Sequence, residues 1–176
     1  KAIELDPNWA EAWNKRATVL YLMGNYELSQ KDIDMVLSLE KRHFGALSGQ
    51  GLVQTALQNY QKAIESLILI VESDTDNSEI LAETYYLLGR TYFIEGQIIE
   101  SVKYFGIRHR DLTEVTKFKS DNYFWLGKSL FSIGDQENGC LIMEDLIFSN
   151  SYLEKPEIIE SAKELQLEKD CGLIID

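Results

Sequence analysis

The chain has little of what interrupts a helix and little of what crosses a membrane. Of its 176 residues only two are proline, and few segments alternate between apolar and polar residues, which disfavours a β-sheet protein. No apolar run reaches the roughly 18 residues of a membrane helix. No charged segment followed by an apolar one opens the chain, as it would in a secretory signal. A soluble, all-helical protein without membrane insertion is therefore expected.

Cationic residues are also scarce, since the chain has 17 Lys and Arg residues but 29 Asp and Glu residues, and its formal net charge is -12. A surface of this charge repels nucleic acid and anionic membranes, so neither is expected as a partner. The acidic surface is expected to keep the protein in solution.

Residues that carry chemistry are few. Cys140 and Cys171 form neither a metal-ligand spacing nor a dense disulfide framework. Free thiols are therefore favoured over a disulfide bridge, and the cysteines leave the redox compartment open. The cytoplasm is taken as the default compartment, with the periplasm as the alternative. The two histidines, His43 and His109, are isolated, and the chain has no Gly-rich phosphate loop, GxSxG, His-Glu-x-x-His or Cys-x-x-Cys motif. Neither an enzyme nor a cofactor or metal site is expected.

What the sequence does contain is a helical hairpin that recurs. In residues 10–43 an apolar stripe predicts one helix, Gly24 ends it through the positive φ that glycine adopts readily, and a second stripe follows. Ala17 and Ser29 are small and mark the closest approach of the two helices. One repeat period of 34 residues later (58 − 24), Gly51, Tyr60 and Ala63 take the corresponding places, whereas the turn glycine has become Gln58.

Two later units repeat the hairpin with a longer period. The Leu-Gly pairs that end at Gly89 and Gly127 lie 38 residues apart, as do the turn glycines Gly96 and Gly134. The additional residues are expected near 73–79 and 108–119. The second of these segments is basic, and a solvated connection is favoured there over a docking patch for an acidic ligand.

These units predict a single domain over residues 1–176. Residues 1–9 end at Asp6-Pro7 and are expected to be the tail of a preceding repeat of a longer array. Repeats are predicted at 10–43, 44–77, 82–119 and 120–153, and a capping helix at 156–170. The capping helix is expected to bury one apolar side, made of Ile158, Ile159, Ala162, Leu165 and Leu167.

The constrained positions of the first hairpin resemble the tetratricopeptide repeat family; they are Pro7, Trp13, Ala17, Gly24, Tyr26, Ser29, Ile33 and Val36. The resemblance implies an all-α, right-handed solenoid that works through protein–protein contacts. The first half is similar to such proteins of bacteria and plant organelles, and the second half is similar to periplasmic envelope proteins of the family.

In such a solenoid the first helix of each repeat turns one face toward a concave groove. The register then places aromatic and cationic side chains there, a combination typical of peptide-binding hot spots; they are Tyr21, Tyr86, Arg90, Phe93, Phe124, Lys128 and Phe131. The expected function is a non-catalytic scaffold that holds a peptide or helix of a partner protein. The structural alternative is that single aromatics pack between repeats.

Two further interpretations concern the partner. The chain could instead be the self-assembly module of a larger protein, such as a bacterial cell-envelope factor, pairing with another copy through its exposed N-terminal edge or its capping helix. A carboxylate-clamp co-chaperone is disfavoured. The clamp positions hold Asn14, Thr18, Gly49, Glu83 and Leu87, and four of these five do not match the family's Lys, Asn and Arg residues.

Overall fold

The structure is a computed structural model that describes residues 2–112, 114–115, 118–149 and 155–172. Every regular element in these ranges is an α-helix, which confirms the all-α prediction. The helices are α1 (Ala2–Leu5), α2 (Ala10–Leu22), α3 (Tyr26–Leu39), α4 (Phe44–Ala56), α5 (Tyr60–Val71), α6 (Ser78–Glu95), α7 (Ile98–Asp111), α8 (Lys119–Ser132), α9 (Gln136–Ser149) and α10 (Pro156–Glu168). No helix in the described ranges is long and apolar enough for a membrane span.

The chain forms two compact units. The first covers Lys1–Leu87 and the second Leu88–Asp176, so helix α6 begins in one unit and ends in the other. Helix α6 begins at Ser78, ahead of the predicted repeat limit at residue 82, because the Asn77 side chain accepts hydrogen bonds from the amides of Glu79 and Ile80 and so caps the helix. The single-domain interpretation and the repeat limits stay predictions.

The predicted turns adopt the left-handed conformation that ends a helix. Gly24, Gly96 and Gly134 have φ values of 77°, 88° and 84°. At each turn two backbone amides bond back to the preceding helix, as Gly24 N does to Tyr21 O at 2.9 Å. Gln58 holds the same conformation with φ 63°, so the second hairpin keeps its turn without the glycine.

The two helices of each hairpin touch where a small residue faces a bulky one sixteen positions later. A Cβ added to Gly89 would lie 2.6 Å from the ring of Phe105. The same construction gives 2.8 Å for Gly51 against Leu67 and for Gly127 against Met143. In the first hairpin Ala17 and Ile33 occupy these places, both 2% exposed, so the small positions read from the sequence do mark the closest helix contacts.

Helix α10 packs against α9 and α8 through Ile159 and Ala162, while Leu165 and Ile158 are half-buried. The expectation that Leu167 also faces the core is wrong, because its side chain is 64% exposed. Five positions beyond Ala162, it lies on the opposite side of a helix with 3.6 residues per turn. Gln166 takes the buried place and donates to the carbonyl of Cys140 at 3.3 Å.

The expectation of free thiols is also wrong. Cys140 in α9 and Cys171, just past the end of α10, form a disulfide with 5.4 Å between their Cα atoms, within the range that such a bridge needs. The two cysteines are 31 positions apart in sequence, a separation that matches no motif. Only the packing of α10 along α9 brings the two sulfurs together.

The basic segment 108–119 was expected to be a solvated connection, and at its first residue this expectation is wrong. Arg108 is 1% exposed, and its guanidinium donates to the carbonyls of Leu112 at 3.0 Å and Val115 at 2.6 Å, which closes the end of α7. His109 stands edge-on to the ring of Tyr123, with centroids 4.7 Å apart. Burial holds the pKa of this histidine below its usual value. Lys117 lies outside the described residues.

We expect Gly89→Ala to lower the free energy of unfolding by about 1–3 kcal/mol, because the new methyl group would overlap the fully buried ring of Phe105. Gly106→Ala is the matched control within α7, since nothing lies within 4 Å of its Cβ position. It should raise stability by about 0.5–1 kcal/mol, the helix preference of alanine over glycine. Urea unfolding of the three proteins measures both, and equal midpoints would contradict the contact.

Candidate functional site

In the second unit four of the predicted residues surround a fifth side chain, Trp125. Phe93 meets the indole edge-on with centroids 5.1 Å apart, and Phe124 does so at 5.8 Å. The guanidinium carbon of Arg90 lies 5.4 Å from the indole centroid, and the ammonium of Lys128 lies 4.9 Å from it. We call these five residues the Trp125 cluster.

Helix α7 holds the two helices that carry this cluster. Arg90 and Phe93 lie one turn apart on α6, which approaches α7 where Gly89 meets Phe105. On the other side, Asn122 of α8 donates to the Phe105 carbonyl at 3.1 Å. The hydroxyls of Ser101 and Ser129 also join α7 to α8 at 3.0 Å. The repeat contacts therefore fix the separation at which the side chains of α6 and α8 meet.

The cluster combines positive charge with aromatic faces. The Lys128 ammonium lies 5.7 Å from the Phe93 ring and 5.9 Å from the Phe124 ring as well as against the indole. A cation within about 6 Å of a ring is attracted by the negative face of the π system. All five side chains are half-buried, so each keeps part of its surface in contact with solvent.

Beside the cluster, helices α8 and α10 enclose a groove of about 420 Å³. Its apolar lining comes from Phe124, Phe131 and Leu165, and Lys128 and Glu164 stand at its polar rim. On the same rim the pKa of the Glu168 carboxyl is lowered, first by the hydrogen bond from Lys169. We call this space the α8–α10 groove. Phe124 and Lys128 belong both to it and to the Trp125 cluster.

Five of the seven predicted residues therefore come together in the second unit, namely Arg90, Phe93, Phe124, Lys128 and Phe131. The other two lie in the first unit. Tyr21 packs on Tyr26 with ring centroids 5.7 Å apart. Tyr86 is 4% exposed and belongs to the core, so it leaves little of its ring for a partner.

Sequence reasoning missed Trp125 and also Leu165, the apolar residue that α10 adds to the groove. Trp125 was absent from the predicted face although it lies four positions after Asp121 and three before Lys128, which puts it on one side of α8. Helical spacing could have found it. Leu165 was assigned to the core of the capping helix, and no pattern in the sequence indicates that the same side chain also lines a groove.

Comparison with known proteins gives the relatives of this chain. The tetratricopeptide repeat family profile matches residues 82–106. A TPR repeat-containing protein of Rhizobium etli is 45% identical over 82 residues, a match that covers 45% of this chain and 40% of that protein. The chain thus matches less than half the length of this bacterial relative.

Solved structures show the same fold. The MamA RS-1 ArsTM double mutant has a TM-score of 0.71 at 20% identity, covering 87% of this chain and 82% of its own. YrrB, described as a TPR protein with an unusual peptide-binding site, has a TM-score of 0.67 at 16% identity, and the match covers 98% of this chain and 86% of YrrB. A tetratricopeptide repeat protein from Parabacteroides merdae has a TM-score of 0.69 at 16% identity, and the match covers 94% of this chain and 60% of that one. At these identities the likeness concerns the fold alone, and it confirms the predicted fold class of a solenoid of helical hairpins.

Proposed function

We propose that this chain, which carries a tetratricopeptide repeat match at residues 82–106 and shares the fold of solved tetratricopeptide repeat proteins, is a non-catalytic scaffold whose second unit binds a segment of a partner protein. The site is the Trp125 cluster together with the α8–α10 groove. Proteins of this family are generally scaffolds without catalysis, and a solved relative in fold, YrrB, is described as having a peptide-binding site.

One observation carries this proposal, namely that two phenyl rings and two cations converge around the indole of Trp125 while all five side chains stay half-exposed. Aromatic and arginine side chains are the groups that most often dominate the energy of protein interfaces. A rigid cluster of rings also loses little conformational freedom when a partner binds. A side chain that served only the core would be buried as Tyr86 is.

The groove adds a second contact for the same ligand. Phe124, Phe131 and Leu165 offer an apolar lining that suits one apolar side chain of the bound segment. The partner is thus a peptide or helix with an apolar anchor, and its backbone or polar groups would meet the rim at Lys128 and Glu164.

We expect Phe124→Ala and Lys128→Glu each to weaken binding about tenfold or more, the effect of losing one hot-spot contact. The probe is a peptide selected on the native chain from a random display library, and its Kd is measured by fluorescence polarisation. Circular dichroism should show unchanged helix content for Lys128→Glu, whose side chain is half-exposed.

The controls make the same changes outside the site. Phe148→Ala removes a ring that is 62% exposed on α9, and Lys163→Glu reverses a charge on α10 that does not line the groove. Both should leave the Kd within about twofold, since substitutions away from special features usually change little. Equal losses in site and control variants, or a library that yields no binding peptide, would contradict the proposal.

A second candidate function is self-assembly through the first hairpin. One face of this hairpin carries an apolar cavity, lined by Trp13 and Leu20 of α2 and by Leu28 and Met35 of α3. At the same face Arg16 donates two hydrogen bonds of 2.6 Å to Asp32, so this pair is neutral within an acidic chain. Two copies can therefore face each other here without the repulsion that the net charge causes elsewhere.

If this face pairs with a second copy, the mass measured by light scattering should rise with concentration, and Leu28→Asp should abolish that rise by placing a charge in the interface. Leu141→Asp on α9 is the matched control, because the two leucines are 50% and 54% exposed. A mass that stays that of the monomer at every concentration would remove this candidate.

The Cys140–Cys171 bridge favours the periplasm over the cytoplasm as the compartment, because disulfides persist where the environment is oxidising. The chain isolated from its host under thiol-blocking conditions should then contain no titratable thiol before reduction and two after it. Two thiols in the unreduced chain would favour the cytoplasm.

A further inference from the structure

We propose that the Cys140–Cys171 disulfide controls the α8–α10 groove, which is open to ligand when the bridge is formed and loses its wall when the bridge is reduced. The inference rests on the proposed peptide binding and adds a regulator to that same site. It follows from where α10 is anchored and from which of its residues line the groove.

The wall of the groove comes from the C-terminal half of α10. Ser161, Glu164, Leu165, Glu168 and Lys169 all line it. They occupy the last two turns of the helix and the residue that follows. The position of these turns therefore decides the width of the groove.

The apolar anchors of α10 lie between its start and its middle residue. Ile159 and Ala162 are buried in the core cluster that also holds Met143 and Leu146 of α9. At the start of the helix the Lys155 ammonium pairs with the Asp121 carboxylate of α8 at 2.5 Å. This half is held by the core itself and does not need the bridge.

The C-terminal half has weaker attachments. Leu165 is only half-buried. Gln166 is 2% exposed and donates to the Cys140 carbonyl at 3.3 Å, but among the described residues its own Oε1 has no hydrogen-bond partner. A buried polar atom without a partner offsets part of what packing contributes. The Gln136 side chain also donates to the Lys169 carbonyl, at an exposed position.

The disulfide completes this end of the helix. Cys171 follows α10 by three residues, and its amide bonds to the Gln166 carbonyl at 3.1 Å, so the bridge to Cys140 is tied to the last turn. A covalent link restricts the open conformations that this segment can reach. Fraying of a helix end is otherwise among the least costly motions of a protein.

The bridge is within reach of a reductant, because both cysteines are half-buried. A dithiol is the co-reactant. One of its thiolates attacks a sulfur of the bridge to give a mixed disulfide, and its second thiolate then releases the protein sulfur. Two electrons pass from the dithiol to the bridge, Cys140 and Cys171 each take up one proton, and the dithiol becomes a disulfide.

The test compares three forms of the full chain, namely the oxidised chain, the chain treated with dithiothreitol, and the variant with both Cys140→Ser and Cys171→Ser. Hydrogen exchange reports on the helix. The probe for binding is the peptide selected on the oxidised chain.

In the reduced chain we expect amides 163–169 to exchange about tenfold faster or more, as local opening becomes less costly. Amides of α8 and α9 should keep their rates, because the core of the unit is unchanged. The peptide Kd should rise about tenfold or more. The double variant should behave as the reduced chain does and should not respond to dithiothreitol.

Equal exchange in the oxidised and reduced chains would overturn the proposal, and so would faster exchange of α10 with an unchanged Kd. Two free thiols in the untreated chain would overturn it as well. These results leave the proposed peptide binding intact. Failure to select any peptide would instead contradict the proposed function, and the exchange rates would still report whether the bridge holds α10.

Discussion

The close contact between a small residue and a bulky one sixteen positions later is the constraint on which this molecule depends. Gly89 against Phe105 and Gly127 against Met143 leave no room for a Cβ, so helices α6 and α7, and likewise α8 and α9, meet at a distance set by backbone and one side chain. A fixed distance also fixes the rotation of each helix. That rotation decides which side chains reach the core and which stay exposed around Trp125.

Local constraints of this kind could be predicted from sequence, because each requires one residue type at one place. A left-handed turn favours glycine, so Gly24, Gly96 and Gly134 marked the helix ends. The register placed Gln58 at the turn of the second hairpin, and the structure shows that it adopts the same conformation there. Small contacts could be located in the same way. The turns and small contacts set the register of the helices, and five of the seven site residues predicted from that register lie together in the second unit.

Features that depend on packing between distant segments could not be predicted. Cys140 and Cys171 are neighbours only because α10 lies along α9. Arg108 looked like a solvated charge, yet it is buried, and its guanidinium donates to the carbonyls of Leu112 and Val115 just beyond the end of α7. Tyr86 shows the same limit, because the sequence pattern of an aromatic on the first helix of a repeat fits a groove or a core equally well, and only its 4% exposure favours the core.

If the proposed site binds a partner peptide, the arrangement of charge around Trp125 limits which side chains it would favour. Lys128 lies against three rings and Arg90 against one, so both cations are already engaged by aromatic faces. A carboxylate of the partner would have to compete with these contacts and would also meet Glu164 at the rim. In the proposed binding mode, an apolar side chain of the partner would lie between Phe124, Phe131 and Leu165 without displacing either cation. The apolar anchor should therefore contribute more to affinity than charge does, although the chain as a whole is strongly charged.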